Sequence, residues 1–434
     1  MIEILNIFYL IIVTFIIFSF PLSNVLLKKK IYKYNYNIFE LYTFNLVLIL
    51  NFLLVLSFLK LDTINIYFFL LSAAILNLFF FDWSQFKKLT SIIILFTIFL
   101  IAYSLNIASY PNLEWDASVN WIFKVLNFKN NYNFENLINI PGVKEYPHIG
   151  TYTWALFWRA SFFDYEYTGR IFYLFVYLVG FFTLTSNLKI KNLNKIILLI
   201  IIITLAFDKI LFSGYQEPLM FFLCIVFTLF AQKITPDKKY NLNYFFLILC
   251  ANLILWTKNE GMFILLFLSF FILLRRKISN SFKFFLILTF ITLIILKHNI
   301  FIYYFDSSFI GWSGYKFLKI NELFTLEILQ RLPYLLYQVL ISFFKYPIYL
   351  IFIILLLTRL IKDKNFKKYL NYITFFIINI AMAVSIFYFV KDPNWKFHAQ
   401  VGLDRMLYQT SGVYLIFIIN FLNNFKLFNI KSNK

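Results

Sequence analysis

The chain is poor in charge, in cysteine, in histidine and in the two residues that punctuate loops. Only 14% of its 434 residues are Asp, Glu, Lys or Arg, too few to hydrate the surface of the two or three soluble domains that such a length would otherwise suggest. Ten glycines and nine prolines exclude collagen-like and low-complexity classes, and they give each single Gly or Pro in a loop a positional meaning. Both cysteines, Cys224 and Cys250, fall inside apolar runs, which argues against a disulfide framework. No two of the three histidines (His148, His298 and His398) have the local spacing of metal ligands. No cofactor is therefore indicated, and no divalent metal.

What the chain has in excess is apolar and aromatic surface. Hydrophobic residues make up 62% and aromatics 23%, with 60 Phe among them, and the mean hydropathy is +0.77. That much apolar surface must face lipid. The second excess is basic: 40 Lys and Arg against 20 Asp and Glu, a net charge of +20. In a soluble protein this balance would point to nucleic acid. In a membrane protein it is an orientation signal, because cytoplasmic loops collect Lys and Arg, and no nucleic-acid partner is expected.

A helix needs about 20 apolar residues to cross a hydrocarbon core of roughly 30 Å. Thirteen runs qualify: 4–27, 38–59, 63–81, 90–108, 169–187, 195–212, 218–232, 240–257, 262–274, 283–303, 346–361, 369–390 and 405–424. The N-terminus lacks the basic start and small-residue cleavage site of a signal peptide, so the first run reads as a retained span. Residues 147–163 are apolar but carry Arg159 and are flanked by Glu145, Asp164 and Glu166. Reading them as a helix at the interface keeps the basic loops Lys28–Lys33, Lys87-Lys88, Lys189–Lys195, Lys233–Lys239, Arg275–Lys283 and Arg359–Lys368 on one side. On this topology the basic excess is cytoplasmic, and two long outer stretches remain, 106–168 and 304–345. Both contain amphipathic, helix-length pieces, Ala117–Asn127 and Leu323–Phe344 among them.

The outer segments hold the residues with chemical potential. Glu114-Trp115-Asp116 opens the first loop. Two carboxylates two residues apart suit a general base and its neighbour, while Asp116 equally suits the cap of a helix beginning near Ala117. Trp121 and Lys124 follow on that helix; the lysine can hold an anion or snorkel at the lipid boundary. Tyr146-Pro147-His148 begins the interfacial helix, with Pro147 in its first turn. Two short turns, Gly214-Tyr215-Gln216-Glu217-Pro218 and Lys258-Asn259-Glu260-Gly261, are polar where neutral residues would serve, as in the floor of a cleft. Arg405 stands at the entrance of the last span and suits phosphate oxygens; pairing with Asp404 or Asp392 is the plainer alternative. Seven of the eight tryptophans, all but Trp83, fall on the outer side, as an interfacial belt does.

The order of these motifs resembles the GT-C superfamily of membrane glycosyltransferases, near the protein O-mannosyltransferase and aminoarabinose-transferase branch. It runs Glu-x-Asp, Trp-x-x-Lys, Tyr-Pro, Gly-Tyr-x-Glu, Lys-Asn-Glu-Gly and Asp-Arg, across roughly Leu89 to Phe421. The resemblance implies an all-α polytopic membrane protein, a bundle of about 13 transmembrane helices with juxtamembrane helices in the first long outer loop. Residues 1–88 would be three N-terminal spans without a counterpart in smaller members, 89–424 the catalytic module and 425–434 a cytoplasmic tail. The implied activity is hexosyl or pentosyl transfer, with inversion, from a polyprenyl-phosphate-linked donor to a hydroxyl of a lipid, glycan or protein acceptor. It would proceed on the extracytoplasmic face of a bacterial-type plasma membrane. Carried onto this sequence, Asp116 matches the catalytic base with Glu114 beside it, and Arg405, Lys258 and Lys124 match donor-phosphate ligands. Tyr146, His148, Glu217, Glu260 and Trp121 would line the substrate site. His148 stands where the family has a second proline. An envelope-glycan polymerase or ligase, which leans on arginines and diphosphate-linked donors, is the alternative. A lipid or glycan transporter is the third reading.

Overall fold

In a computed structural model of the chain, the described residues are 2–19, 38–78, 90–140, 146–184, 188, 190, 192–234, 242–275, 278–305, 316–319, 321–322, 325–363, 366–391 and 393–423. Basic loops 28–33, 87–88 and 235–239, the tail 425–434, and Trp83, Glu145, Lys189, Trp312 and Asp392 lie outside them.

Each of the thirteen apolar runs contains a helix. Four come first: α1 (Ile2–Ser19), α2 (Ile38–Leu56), α3 (Thr63–Leu78) and α4 (Thr90–Ser109). A π-helical turn, Ala117–Trp121, leads into α5 (Ile122–Lys129), followed by α6 (Ile149–Ala160). The middle of the chain forms α7 (Tyr167–Leu184), α8 (Asn192–Leu205), α9 (Glu217–Gln232), α10 (Leu242–Thr257), α11 (Gly261–Leu274) and α12 (Asn280–Phe305). The last are α13 (Leu326–Leu329), α14 (Arg331–Lys345), α15 (Pro347–Asp363), α16 (Phe366–Tyr388) and α17 (Trp395–Asn423). Two-residue strands β1 (Lys316–Phe317) and β2 (Val390–Lys391) pair antiparallel.

The fold is all-α, and its long apolar helices are those of a multi-pass membrane protein. Among the described residues six helices, α2, α4, α7, α12, α16 and α17, are long and apolar enough to cross by themselves, and a seventh span results if α13–α14 and α15 count as one broken segment. The 14-residue α8 and α11 reach only about 21 Å at 1.5 Å per residue, short of a roughly 30 Å core.

The centre of the molecule is α7, buried along its whole length, packed on α9 and through it on α17. A helix apolar on every side belongs where neighbours surround it. Peripheral helices show the reverse: α12 presents Phe284, Phe285, Leu288, Ile291 and Ile295 outward, a continuous apolar face too large for water. The first three helices are integral to this packing. Thr43 hydrogen-bonds Thr183, Asn51 donates to the Leu249 carbonyl (3.1 Å), and Glu40 pairs with Lys233. The expected interfacial helix at 147–163 is α6, and its 12 residues span only about 18 Å. It does not rest on an open interface, however: α2, α3, α5, α7 and α10 enclose it and only Arg159 is exposed.

One backbone contact sets the turn that later carries Lys258 and Glu260. A Cβ at Gly261 would lie 2.0 Å from the Ile254 carbonyl oxygen, so the α10–α11 corner closes only with glycine. Gly261→Ala is expected to cost roughly 1–3 kcal/mol through overpacking, read as a lowered unfolding midpoint of the purified protein in detergent.

Candidate functional site

Five ionisable side chains from four separated segments converge at one end of the central helices. Glu217 is the first residue of α9 and is fully buried. Its Oε1 accepts from Arg405 Nε of α17 (2.5 Å) and from Lys258 Nζ (2.9 Å). Arg405 Nη1 also donates to Asp116 Oδ2, and Lys258 lies 3.4 Å from Glu260. The guanidinium carbon stands 4.1 Å from the centre of the Tyr215 ring, a cation–π contact that orients its plane. Three carboxylates thus surround two cations in a connected ion network.

Local chemistry explains how these groups are aimed. Gly214 adopts φ +81°, a left-handed conformation open to glycine, just before Tyr215 and Glu217, which both meet Arg405. Asp116 opens the π-helical turn but makes no side-chain cap bond. Its carboxylate goes to Arg405 instead, so the capping role open to it by sequence is not taken. Burial grades across the network: the side chains of Glu217 and Lys258 are 0% and 3% exposed, those of Arg405 and Asp116 13% and 25%. Asp116 therefore forms the rim and Glu217 the floor.

The other expected residues are distributed around this network. Glu114 is half exposed and lies 4.0 Å from Lys209, so the two acids of Glu-x-Asp have different partners. The buried Lys124 donates to the Tyr146 carbonyl (2.6 Å) and lies 5.9 Å from the Trp121 ring. Trp121 and Tyr146 meet edge to face at 5.5 Å. His148 sits in an aromatic cage of Phe58, Phe128, Phe134 and Trp256. Its Nε2 shares a 2.6 Å hydrogen bond with Ser57 Oγ, whose own proton goes to the Leu54 carbonyl. The Nε2–H tautomer follows. Burial, with the positive Lys124 and Lys297 beyond, holds the imidazole well below the usual histidine range.

Asp404 does not pair with Arg405. It binds Lys345, which also lies 3.5 Å from Asp208. Successive helix residues point about 100° apart, so Asp404 and Arg405 serve two different ionic clusters. Sequence reading also passed over the buried Gln216 and Tyr173. A Cβ at Gly150 would lie 2.5 Å from Gln216 Oε1 and 2.9 Å from the Tyr173 hydroxyl, so glycine lets both approach α6. Among the described residues neither amide atom of Gln216, nor the Tyr173 hydroxyl, nor Glu217 Oε2 has a hydrogen-bond partner. The only hint of this was the polar turn around Glu217. Among the described residues no group of three or more His, Cys, Asp or Glu could hold a metal ion.

No family model, curated protein or solved structure matches the chain.

The network makes a graded stability prediction. Glu217→Ala leaves Arg405 and Lys258 buried beside each other and is expected to cost roughly 3–5 kcal/mol. Asp116→Ala, at the rim, should cost well under half of that in the same reversible unfolding assay. A second expectation concerns His148. The unfolded imidazole takes a proton near pH 6.5 and the caged one does not, so stability present above that pH is lost as pH falls below it. Unfolding midpoints between pH 7.5 and 5.5 should fall less in His148→Gln than in the parent chain.

Proposed function

We propose that the chain is an integral-membrane glycosyltransferase of the GT-C type. It moves a sugar from a polyprenyl-phosphate donor to an acceptor hydroxyl on the extracytoplasmic face, with inversion. The observation that supports this reading is the convergence of Asp116, Glu217, Lys258, Glu260 and Arg405, with a carboxylate at the rim joined directly to a guanidinium. These are the two kinds of group the reaction requires: a base for the acceptor proton and fixed positive charge for the departing phosphate.

In this proposal Arg405 has two successive partners. Without donor it holds Asp116, which keeps that carboxylate occupied. Donor phosphate draws the guanidinium away, because the two non-bridging oxygens of the phosphodiester, which share one negative charge, offer bidentate geometry that one carboxylate oxygen does not. Asp116, freed at the rim, then accepts the proton of the acceptor hydroxyl as its oxygen attacks the anomeric carbon. The bond from that carbon to the phosphate oxygen breaks, the phosphate leaves with the electron pair, and Arg405 and Lys258 balance its charge. Glu217 keeps both cations in place. The unpartnered amide of Gln216 and hydroxyl of Tyr173 are the neutral donors and acceptors that sugar hydroxyls require. Lys124, Trp121 and Tyr146 complete the wall on the side of the first loop, with Glu260 beside Lys258.

The test uses purified protein in lipid with sugar donors linked through a monophosphate or a diphosphate. Asp116→Asn is expected to lower turnover by at least about 100-fold, the scale of general-base loss, while monophosphate-linked donor still binds. Near-normal turnover in that variant overturns the role of Asp116. Turnover confined to the diphosphate-linked donor would instead point to the polymerase or ligase reading.

A further inference from the structure

Helix α14 has its polarity reversed with respect to a water-soluble helix. Between Ile328 and Phe344 the only charged residue is Arg331, and it is turned inward, 3% exposed. Its Nη1 donates to the Val390 carbonyl (2.7 Å) and its guanidinium lies 5.0 Å from the Trp395 ring. Arg331, Tyr334, Gln338, Ser342 and Lys345 recur at three- and four-residue spacing, a single stripe on the helix. Along that stripe Arg331 and Ser342 are buried and Tyr334 and Gln338 half-buried. Lys345 reaches Asp404 and Asp208. The opposite face carries Leu332, Leu336, Leu340 and Phe344, with Leu329 from α13, and all of them are exposed, Phe344 at 72%.

In water this arrangement is upside down, since the helix hides its polar stripe and presents its apolar one. It is the arrangement expected of a helix whose outer face meets hydrocarbon. The direction of the helix selects between two ways of meeting it. α13–α14 and α15 are bent by 91° at Tyr346, and α15 is an apolar helix with Ile354, Leu357 and Ile361 exposed. With α15 along the membrane normal, α14 lies in the membrane plane.

We infer that α14 is an in-plane helix embedded in one leaflet, its Leu329–Phe344 face covered by lipid acyl chains. It is a ledge about 22 Å long at 1.5 Å per residue, anchored at its C-terminal end by Lys345 to Asp208 and Asp404. Because Asp404 adjoins Arg405, this ledge ties the depth of the Arg405 network to the depth of the acyl-chain boundary. The inference stands on burial and direction alone, and holds whatever reaction the network performs.

Depth measurement on the full chain tests it. Cys224 and Cys250 are buried, so a nitroxide is placed at Leu332→Cys, Leu336→Cys, Leu340→Cys or Phe344→Cys. Each variant is reconstituted in phosphatidylcholine–phosphatidylglycerol vesicles, and collision with oxygen is compared with collision with a water-soluble nickel chelate. All four labels are expected to favour oxygen and to report one depth within about 3 Å, half the step of roughly 6 Å that a transverse helix makes every four residues. A depth ladder of that size overturns the in-plane placement. Dominant nickel collisions overturn the lipid contact, and low collision with both reagents means that protein covers the face. On the unsubstituted chain, a diazirine-bearing lipid should label Leu332, Leu336, Leu340 and Phe344 and spare Leu335 and Val339. Labelling of neither set, or equally of both, counts against the inference even if a cysteine variant misfolds.

Discussion

A single carboxylate oxygen, Glu217 Oε1, receives both Arg405 and Lys258 inside a fully buried position. Three parts of the chain depend on that contact: α17 through Arg405, the α10–α11 turn through Lys258, and the first outer segment through the bond from Arg405 to Asp116. A buried charge of either sign is costly alone and tolerable only when paired. The helix ends that carry these groups are consequently held together, although α7, α9 and α17 behind them are packed by apolar contact. Apolar packing is tolerant of small rotations, whereas a shared carboxylate oxygen is not, so the ion network defines the relative rotation of these helices.

The same economy of charge governs the periphery. On α14 Arg331 and Lys345 turn toward protein partners, while Leu332, Leu336, Leu340 and Phe344 turn outward. Two ionic clusters, Asp116–Glu217–Lys258–Glu260–Arg405 and Asp208–Lys345–Asp404, meet on consecutive residues of α17. One is assembled around a deeply buried acid and opens at Asp116. The other fastens the ledge of α14 beside it.

Much of this was legible in the residues and some of it was not. Apolar runs located a helix in every predicted span, because hydropathy and helical periodicity report burial directly. The polar turns at Glu217 and Lys258–Glu260 stood out, since charge beside an apolar run demands a partner. The pairing itself was invisible: Asp116 and Arg405 are 289 positions apart, and Asp404 was as good a candidate on spacing. Glu114 shows the opposite limit, where proximity in sequence to Asp116 suggested a shared task and a two-residue offset sent the side chain elsewhere. His148 was assigned to the substrate site through the family resemblance, and it is caged by aromatic rings.

Composition and pattern by themselves determined the class of molecule, an all-α membrane protein, because lipid and water sort residues by polarity one position at a time. They also determined the places where charge interrupts that sorting. Tertiary structure alone decided which charges meet, where the apolar helices bend, and which face of α14 points outward. Those are relations between segments, set by the bends at Gly214, Gly261 and Tyr346 and by the need of each buried charge for a partner.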